Sequence, residues 1–234
     1  MSAGPEACAP GSVGAGVLAL VGGGEWSEGC TFDADLLDEA GERVVTVLPT
    51  AAAFESPQRA ISQAEKYFAG LGAEVVPVAV LDRTGALDEG LAGVVARARF
   101  VYLASGSAMH LLSVLKRTPV WEAVQAAYRS GAVVAAAGPS ASVLCDAMVD
   151  PRGGGFGVGL GLVTQLTLIP SYDRWSAEKS RRTVELAPAG LALAGIPDRT
   201  ALIRGRDGDW RVSGVGEVRL FKDHRPAGLD VLEA

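Results

Sequence analysis

A serine at a strand-to-helix junction can act as an acyl-transfer nucleophile, because a sharp turn there lifts its hydroxyl above the edge of the sheet. The run Val133–Ala137 has the small, β-compatible residues of a buried strand, Gly138-Pro139-Ser140-Ala141-Ser142 is a turn, and apolar residues at helical spacing continue to Met148. Ser140 is therefore a candidate nucleophile in a G-x-S-x-G elbow whose last glycine is replaced by Ser142. The same residues also fit a plainer role, in which Ser140 or Ser142 caps a helix N-terminus and Pro139 ends the strand by lacking an N–H. A serine hydroxyl is a poor nucleophile without a base within hydrogen-bond reach. Histidine suits that task because it takes and returns a proton near neutrality. The chain holds two histidines. His110 opens a helix four residues after Gly106 and is the candidate substitute base, whereas His224 lies in a polar turn. Lys179 could serve as a base only if desolvated, and its neighbours Glu178, Arg181 and Arg182 fit a solvated helix face. Cys145 reads as a core residue.

The elements that must position these groups follow from the periodicity. Residues 17–21, 44–48, 75–80, 100–104 and 133–137 read as strands. Residues 57–70, 87–97, 108–116 and 119–130 read as helices between them, two of them opened by proline at a first-turn position, Pro57 and Pro119. Pro77 inside the third run points to an edge strand. Such alternation implies parallel βαβ units with right-handed crossovers and helices on both faces. Ligand sites in such sheets form at the carboxyl ends of the strands. The loops at 22–24, 49–51, 105–107 and 138–142 should then gather along one edge. Beyond Met148 the sequence predicts a glycine-rich loop or lid at 151–157, a strand at 166–169, a helix at 175–186, and short strands at 191–196, 201–204, 210–213 and 218–221. Asp207-Gly208-Asp209 is expected to turn a hairpin.

Composition excludes several classes. The chain has 234 residues, 49% of them hydrophobic, and a formal net charge of -6, which suits a packed α/β domain and disfavours a nucleic-acid surface built from clustered Lys and Arg. No apolar run reaches the roughly 18 residues needed to span a bilayer. Residues 1–14 are expected to be a disordered tail without the features of a signal peptide, and 15–234 a single domain in the cytoplasm. Cys8, Cys30 and Cys145 are too few and too widely spaced for a disulfide framework or a zinc site. Neither a metal nor a cofactor is expected.

In this order, Gly22-Gly23-Gly24-Glu25, Val45-Thr46-Val47-Leu48-Pro49-Thr50-Ala51, Ser105-Gly106, Ala137-Gly138-Pro139-Ser140-Ala141 and Gly195-Ile196-Pro197-Asp198-Arg199-Thr200-Ala201-Leu202 resemble the cyanophycinase and dipeptidase E family of serine peptidases. The resemblance runs over about residues 16–222. It implies a three-layer α/β sandwich with a mainly parallel, flavodoxin-like central sheet, similar to class I glutamine amidotransferases, with small antiparallel strands at the C-terminus. It also implies Ser140 as nucleophile, Asp198 as the acidic member, and oxyanion donors from Ala141 and from the Gly106-Ser107 loop. The family histidine is missing: Ser171 and Tyr172 stand in its place. Ser105 replaces the first of two expected glycines, and Pro139 before the nucleophile is unusual for the family. Arg174 is a candidate for holding a substrate carboxylate bidentately. The implied function is a serine peptidase-like hydrolase on amide bonds of small acidic peptides, with weak or altered activity. The alternatives are a non-catalytic protein that binds a small peptide or amino-acid-like ligand, or an enzyme of altered chemistry. Whether the chain is an enzyme stays open at this point, and homodimerisation is allowed.

Overall fold

The structure, a computed structural model, describes residues 16–233. The expected tail and Cys8 lie outside the described residues. Short buried runs of Val, Leu and Ala alternate with helices through the first half: β1 (Val17–Val21), α1 (Phe32–Ala40), β2 (Val44–Leu48), α2 (Pro57–Gly70), β3 (Glu74–Pro77), α3 (Arg83–Ala86), α4 (Glu89–Arg97), β4 (Phe100–Leu103), α5 (Ala108–Leu115), α6 (Pro119–Arg129) and β5 (Val133–Ala137). The second half has shorter pieces: α7 (Pro139–Leu144), β6 (Ala147–Val149), β7 (Phe156–Val158), β8 (Leu166–Pro170), α8 (Ala177–Glu185), β9 (Ala192–Ile196), β10 (Thr200–Arg204), β11 (Trp210–Gly214), β12 (Arg219–Lys222) and β13 (Arg225–Ala227).

The main sheet has seven strands in the order β11-β10-β1-β5-β4-β2-β3. The strands β1 to β5 run parallel to one another, and β10 and β11 add an antiparallel margin beside β1. Strand side chains alternate between faces, and each face is covered. Val17, Ala19 and Val21 pack with Phe32, Leu36 and Phe68 from α1 and α2. Leu18 and Leu20 pack into the opposite core with Val95, Leu111 and Val124 from α4, α5 and α6. This is the expected three-layer α/β sandwich.

A smaller four-stranded sheet runs β13-β12-β9-β8. It is mixed, since β8 and β9 are parallel while β9, β12 and β13 are antiparallel. The turn Pro197-Asp198-Arg199 leaves β9 in this sheet and enters β10 in the main one, so it bridges the two. The hairpin at 207–209 joins β10 to β11, as its sequence requires.

Three local expectations change. Strand β3 ends at Pro77 rather than 80, although it does lie at the sheet edge. A short helix, α3, precedes α4, with the Asp82 carboxylate accepting the Gly85 N–H at 2.9 Å. The elbow helix stops at Leu144 instead of reaching Met148, and residues 147–149 form β6, paired with β7. The glycine-rich stretch is thus the loop of a hairpin. Among the described residues no helix is long and apolar enough to cross a membrane.

Candidate active site

Parallel register places the strand exits side by side. Val21 of β1 pairs with Ala137 of β5, and Ala136 pairs with Leu103 of β4. The exit loops beginning at Gly22, Ala104 and Gly138 therefore meet at one edge. The β8 exit joins them: Ser171 N–H donates to Gly22 O at 2.8 Å, and its hydroxyl reaches the same oxygen at 3.2 Å. The β9–β10 turn is held by the Arg199 N–H, which donates to Gly23 O at 2.7 Å. Gly23 is needed between these loops, because a Cβ there would lie 2.6 Å from Asp198 Oδ1 and 2.8 Å from Ser171 Oγ.

The elbow itself differs from its expected arrangement. The residue immediately after β5 is Gly138, with φ 55 and ψ -136. That left-handed φ is strained for any residue with a Cβ, and it marks Gly138 as the vertex of the turn. Pro139 follows at the first helical position and offers no N–H. Ser140, two residues beyond the vertex, is 0% exposed, and its hydroxyl donates to Ala104 O at 2.6 Å. It ties α7 to the end of β4 beneath the site.

Two of the expected oxyanion donors are engaged elsewhere. Ala141 N–H donates to Gly138 O at 3.0 Å, and Ser107 N–H donates to Ala51 O at 2.8 Å. The Ser107 hydroxyl caps α5 by accepting the His110 N–H at 3.3 Å. Gly106 adopts φ 150, where a Cβ would overlap Ala51 O. The substitute base is also taken up. His110 Nε2 lies 2.8 Å from Leu81 O, so that nitrogen is a donor, and the ring packs edge-on against Phe54. Lys179 donates to Pro151 O at 2.8 Å and sits 3.5 Å over the Trp175 ring. Burial pushes the Cys145 thiol up to about 12. His224 Nε2 is 3.2 Å from Ala187 O.

The acidic side is assembled. Asp198 is 8% exposed, forms an ion pair with Arg174, and donates its own N–H to Asp173 Oδ1 at 2.9 Å. Its other oxygen, Oδ1, has no hydrogen-bond partner among the described residues. Arg174 is thereby committed to Asp198. Ser171 has φ 45, and the Tyr172 ring lies across Gly195 and near Phe221 rather than over the elbow.

Sequence reasoning missed Glu25 as a site residue. Its Oε1 accepts the Ser105 N–H at 2.9 Å, linking the exits of β1 and β4 across 80 residues of chain. Burial raises its pKa, the bond from Ser105 offsets part of that, and the nearby Asp198 charge raises it further. The signal for the vertex was present, since the first residue past a strand must itself make the turn. A cavity of about 150 Å³ beside the elbow is lined by Pro139, Ser142, Pro170, Ser171 and Trp175. A wider cleft of about 770 Å³ lies beyond Tyr172, between α8 and β12. Among the described residues no group of three or more His, Cys, Asp or Glu could hold a metal ion.

The model of peptidase family S51 matches residues 18–207. A crystal structure of a peptidase from an acI-B1 Actinobacterium superposes with a TM-score of 0.82 at 25% identity, covering 92% of this chain and 94% of that one. A putative peptidase E protein from Listeria monocytogenes EGD-e shares the fold, with a TM-score of 0.62 at 15% identity over 88% of this chain and 98% of that one. Comparison with curated protein sequences returns no match.

Proposed function

The chain belongs to peptidase family S51, and from that premise we propose that it is a peptidase-like hydrolase of small amides or esters whose reaction does not run through Ser140. The observation that carries this reading is the vertex at Gly138, which leaves Ser140 sealed under the site on Ala104 O. The partly exposed polar residues at the sheet edge are instead Glu25, Ser105 and Ser171, with the buried Asp198 behind them. They suit a small peptide or amino-acid-like ligand at the carboxyl ends of the strands. The preference for acidic peptides loses support, because Arg174 is already paired with Asp198.

A second reading, a non-catalytic binder, is favoured by Pro139. The residue after the vertex supplies an oxyanion donor in an ordinary elbow, and proline has none. A biotinylated fluorophosphonate, with the labelled peptide mapped by mass spectrometry, separates these readings. Ser140→Ala is expected to keep wild-type labelling and wild-type hydrolysis of p-nitrophenyl acetate. Loss of both in that variant, with its thermal midpoint retained, would return Ser140 to the role of nucleophile. A wild-type chain that neither labels nor hydrolyses would leave the binder.

A further inference from the structure

Ser105 occupies the place that an elbow side chain would fill. A Cβ built on Gly138 would overlap Ser105 Oγ and lie 3.3 Å from Ser105 Cβ. A side chain at 138 and a serine at 105 thus compete for one space, and this chain carries the serine. The Ser105 side chain is partly exposed, and its hydroxyl makes no hydrogen bond among the described residues. Glu25 Oε1 accepts the backbone N–H of the same residue at 2.9 Å, which anchors the carboxylate on the residue that carries the hydroxyl.

Resting on the hydrolase reading above, we propose that Ser105 is the nucleophile and Glu25 its general base, a pair built on the β4 and β1 exits in place of the elbow. Three features support the assignment. The carboxylate of Glu25 is partly buried beside Asp198, which moves its proton affinity toward neutrality, where a general base works best. The Gly106 N–H follows the nucleophile directly, the position that supplies an oxyanion donor in serine hydrolases, and it makes no hydrogen bond among the described residues. The alternative nucleophiles and bases, Ser140, Cys145, His110 and Lys179, are buried or engaged by other groups.

The step balances as acyl transfer to water. Ser105 Oγ attacks the carbonyl carbon of a small ester or amide while its proton passes to the Glu25 carboxylate. The tetrahedral intermediate collapses with cleavage of the bond to the leaving alcohol or amine, which takes that proton from Glu25. Water then attacks the Ser105 ester and gives a proton to Glu25. Ser105 Oγ departs and regains it, releasing the acid.

The test uses the full chain with the fluorophosphonate probe and p-nitrophenyl acetate. Wild type is expected to label on the tryptic peptide containing Ser105, and Ser105→Ala to lose labelling and to lower kcat by about 100-fold or more. Glu25→Gln keeps an oxygen to accept the Ser105 N–H, so it should fold as wild type does. It should lower kcat by a similar factor with little change in KM, and abolish the fall in kcat that wild type shows on acidification. Labelling that maps to another serine, or that survives in Ser105→Ala, overturns this assignment while leaving the hydrolase reading intact. A wild-type chain that neither labels nor turns over substrate overturns both. Unchanged kcat and pH profile in Glu25→Gln, with Ser105→Ala inactive, removes Glu25 alone.

Discussion

Gly138 and Ser105 form a pair whose energetics can be measured without any substrate. Gly138 sits at φ 55 and ψ -136, a conformation that costs a residue with a Cβ about 1–3 kcal/mol. The overlap with Ser105 Oγ adds to that cost. Gly138→Ala should therefore lower unfolding free energy in urea by at least about 1–3 kcal/mol. In a Ser105→Gly background the same change should cost measurably less, because the steric part is gone and only backbone strain remains. Additive effects would mean that the two positions do not share space. The sequence made Ser140 legible as a serine near an elbow, because the residue type and the G-x-S spacing are both visible. Gly138, directly after the expected strand 133–137, carried the signal for the vertex, but the G-x-S spacing pointed two residues further on, and at that offset the hydroxyl lies in the core. Glu25 was hidden for a different reason: its partner Ser105 is 80 residues away, and no local pattern records such a bond.

At the scale of elements, strands and helices with strong local periodicity were legible, and those ended by distant contacts were not. The apolar residues from Val143 to Met148 fit a helix by spacing, yet α7 stops at Leu144. Leu160 N–H donates to Val143 O at 2.8 Å, and Leu162 and Val163 donate to Leu144 O at 2.8 and 3.0 Å, so residues 160–163 take the carbonyls a longer helix would have used. The β6–β7 hairpin that follows is held by α8. Gly154 N–H donates to Thr183 Oγ1 at 2.9 Å, and Lys179 Nζ donates to Pro151 O at 2.8 Å while covering Trp175. Lys179→Ala removes one tether and a cation–π contact of about 0.5–1 kcal/mol at such an exposed site. Amide exchange in residues 150–155 should rise severalfold while global stability falls by no more than about 1 kcal/mol. Unchanged exchange there would show that Thr183 alone fixes the hairpin.

Across the whole molecule, the two-faced sheet and its placement of the site were legible because alternation of burial and parallel connectivity are global regularities of the chain. What the sequence did not disclose is that one face of this sheet encloses an acid. Asp33, in the first turn of α1, is 0% exposed, and among the described residues neither of its oxygens has a hydrogen-bond partner of good geometry. Burial drives its pKa up to about 8; the Tyr67 hydroxyl, which donates to Cys30 O at 2.8 Å, offsets part of this, and the Glu25 charge adds to it. Tyr102 and the Cys30 thiol complete the titratable surroundings, both held in their neutral forms by burial. The folded state therefore keeps a proton that the unfolded chain, with an ordinary carboxylate near 3.8, has released. The sign follows from proton counting: between those two values the native state binds more protons, so stability falls as pH rises, by up to about 1.4 kcal/mol per unit for one proton. The contribution is fully present below the unfolded value and is lost as pH climbs through about 8. Glu25, also raised, acts in the same direction. Asp33→Asn keeps the neutral shape without the ionisation. Thermal midpoints at pH 5, 6, 7 and 8 should fall steadily in wild type and much less in the variant, with the variant the more stable at pH 8. Parallel curves would mean that Asp33 ionises freely in the folded chain and that water reaches it from the Glu25 side.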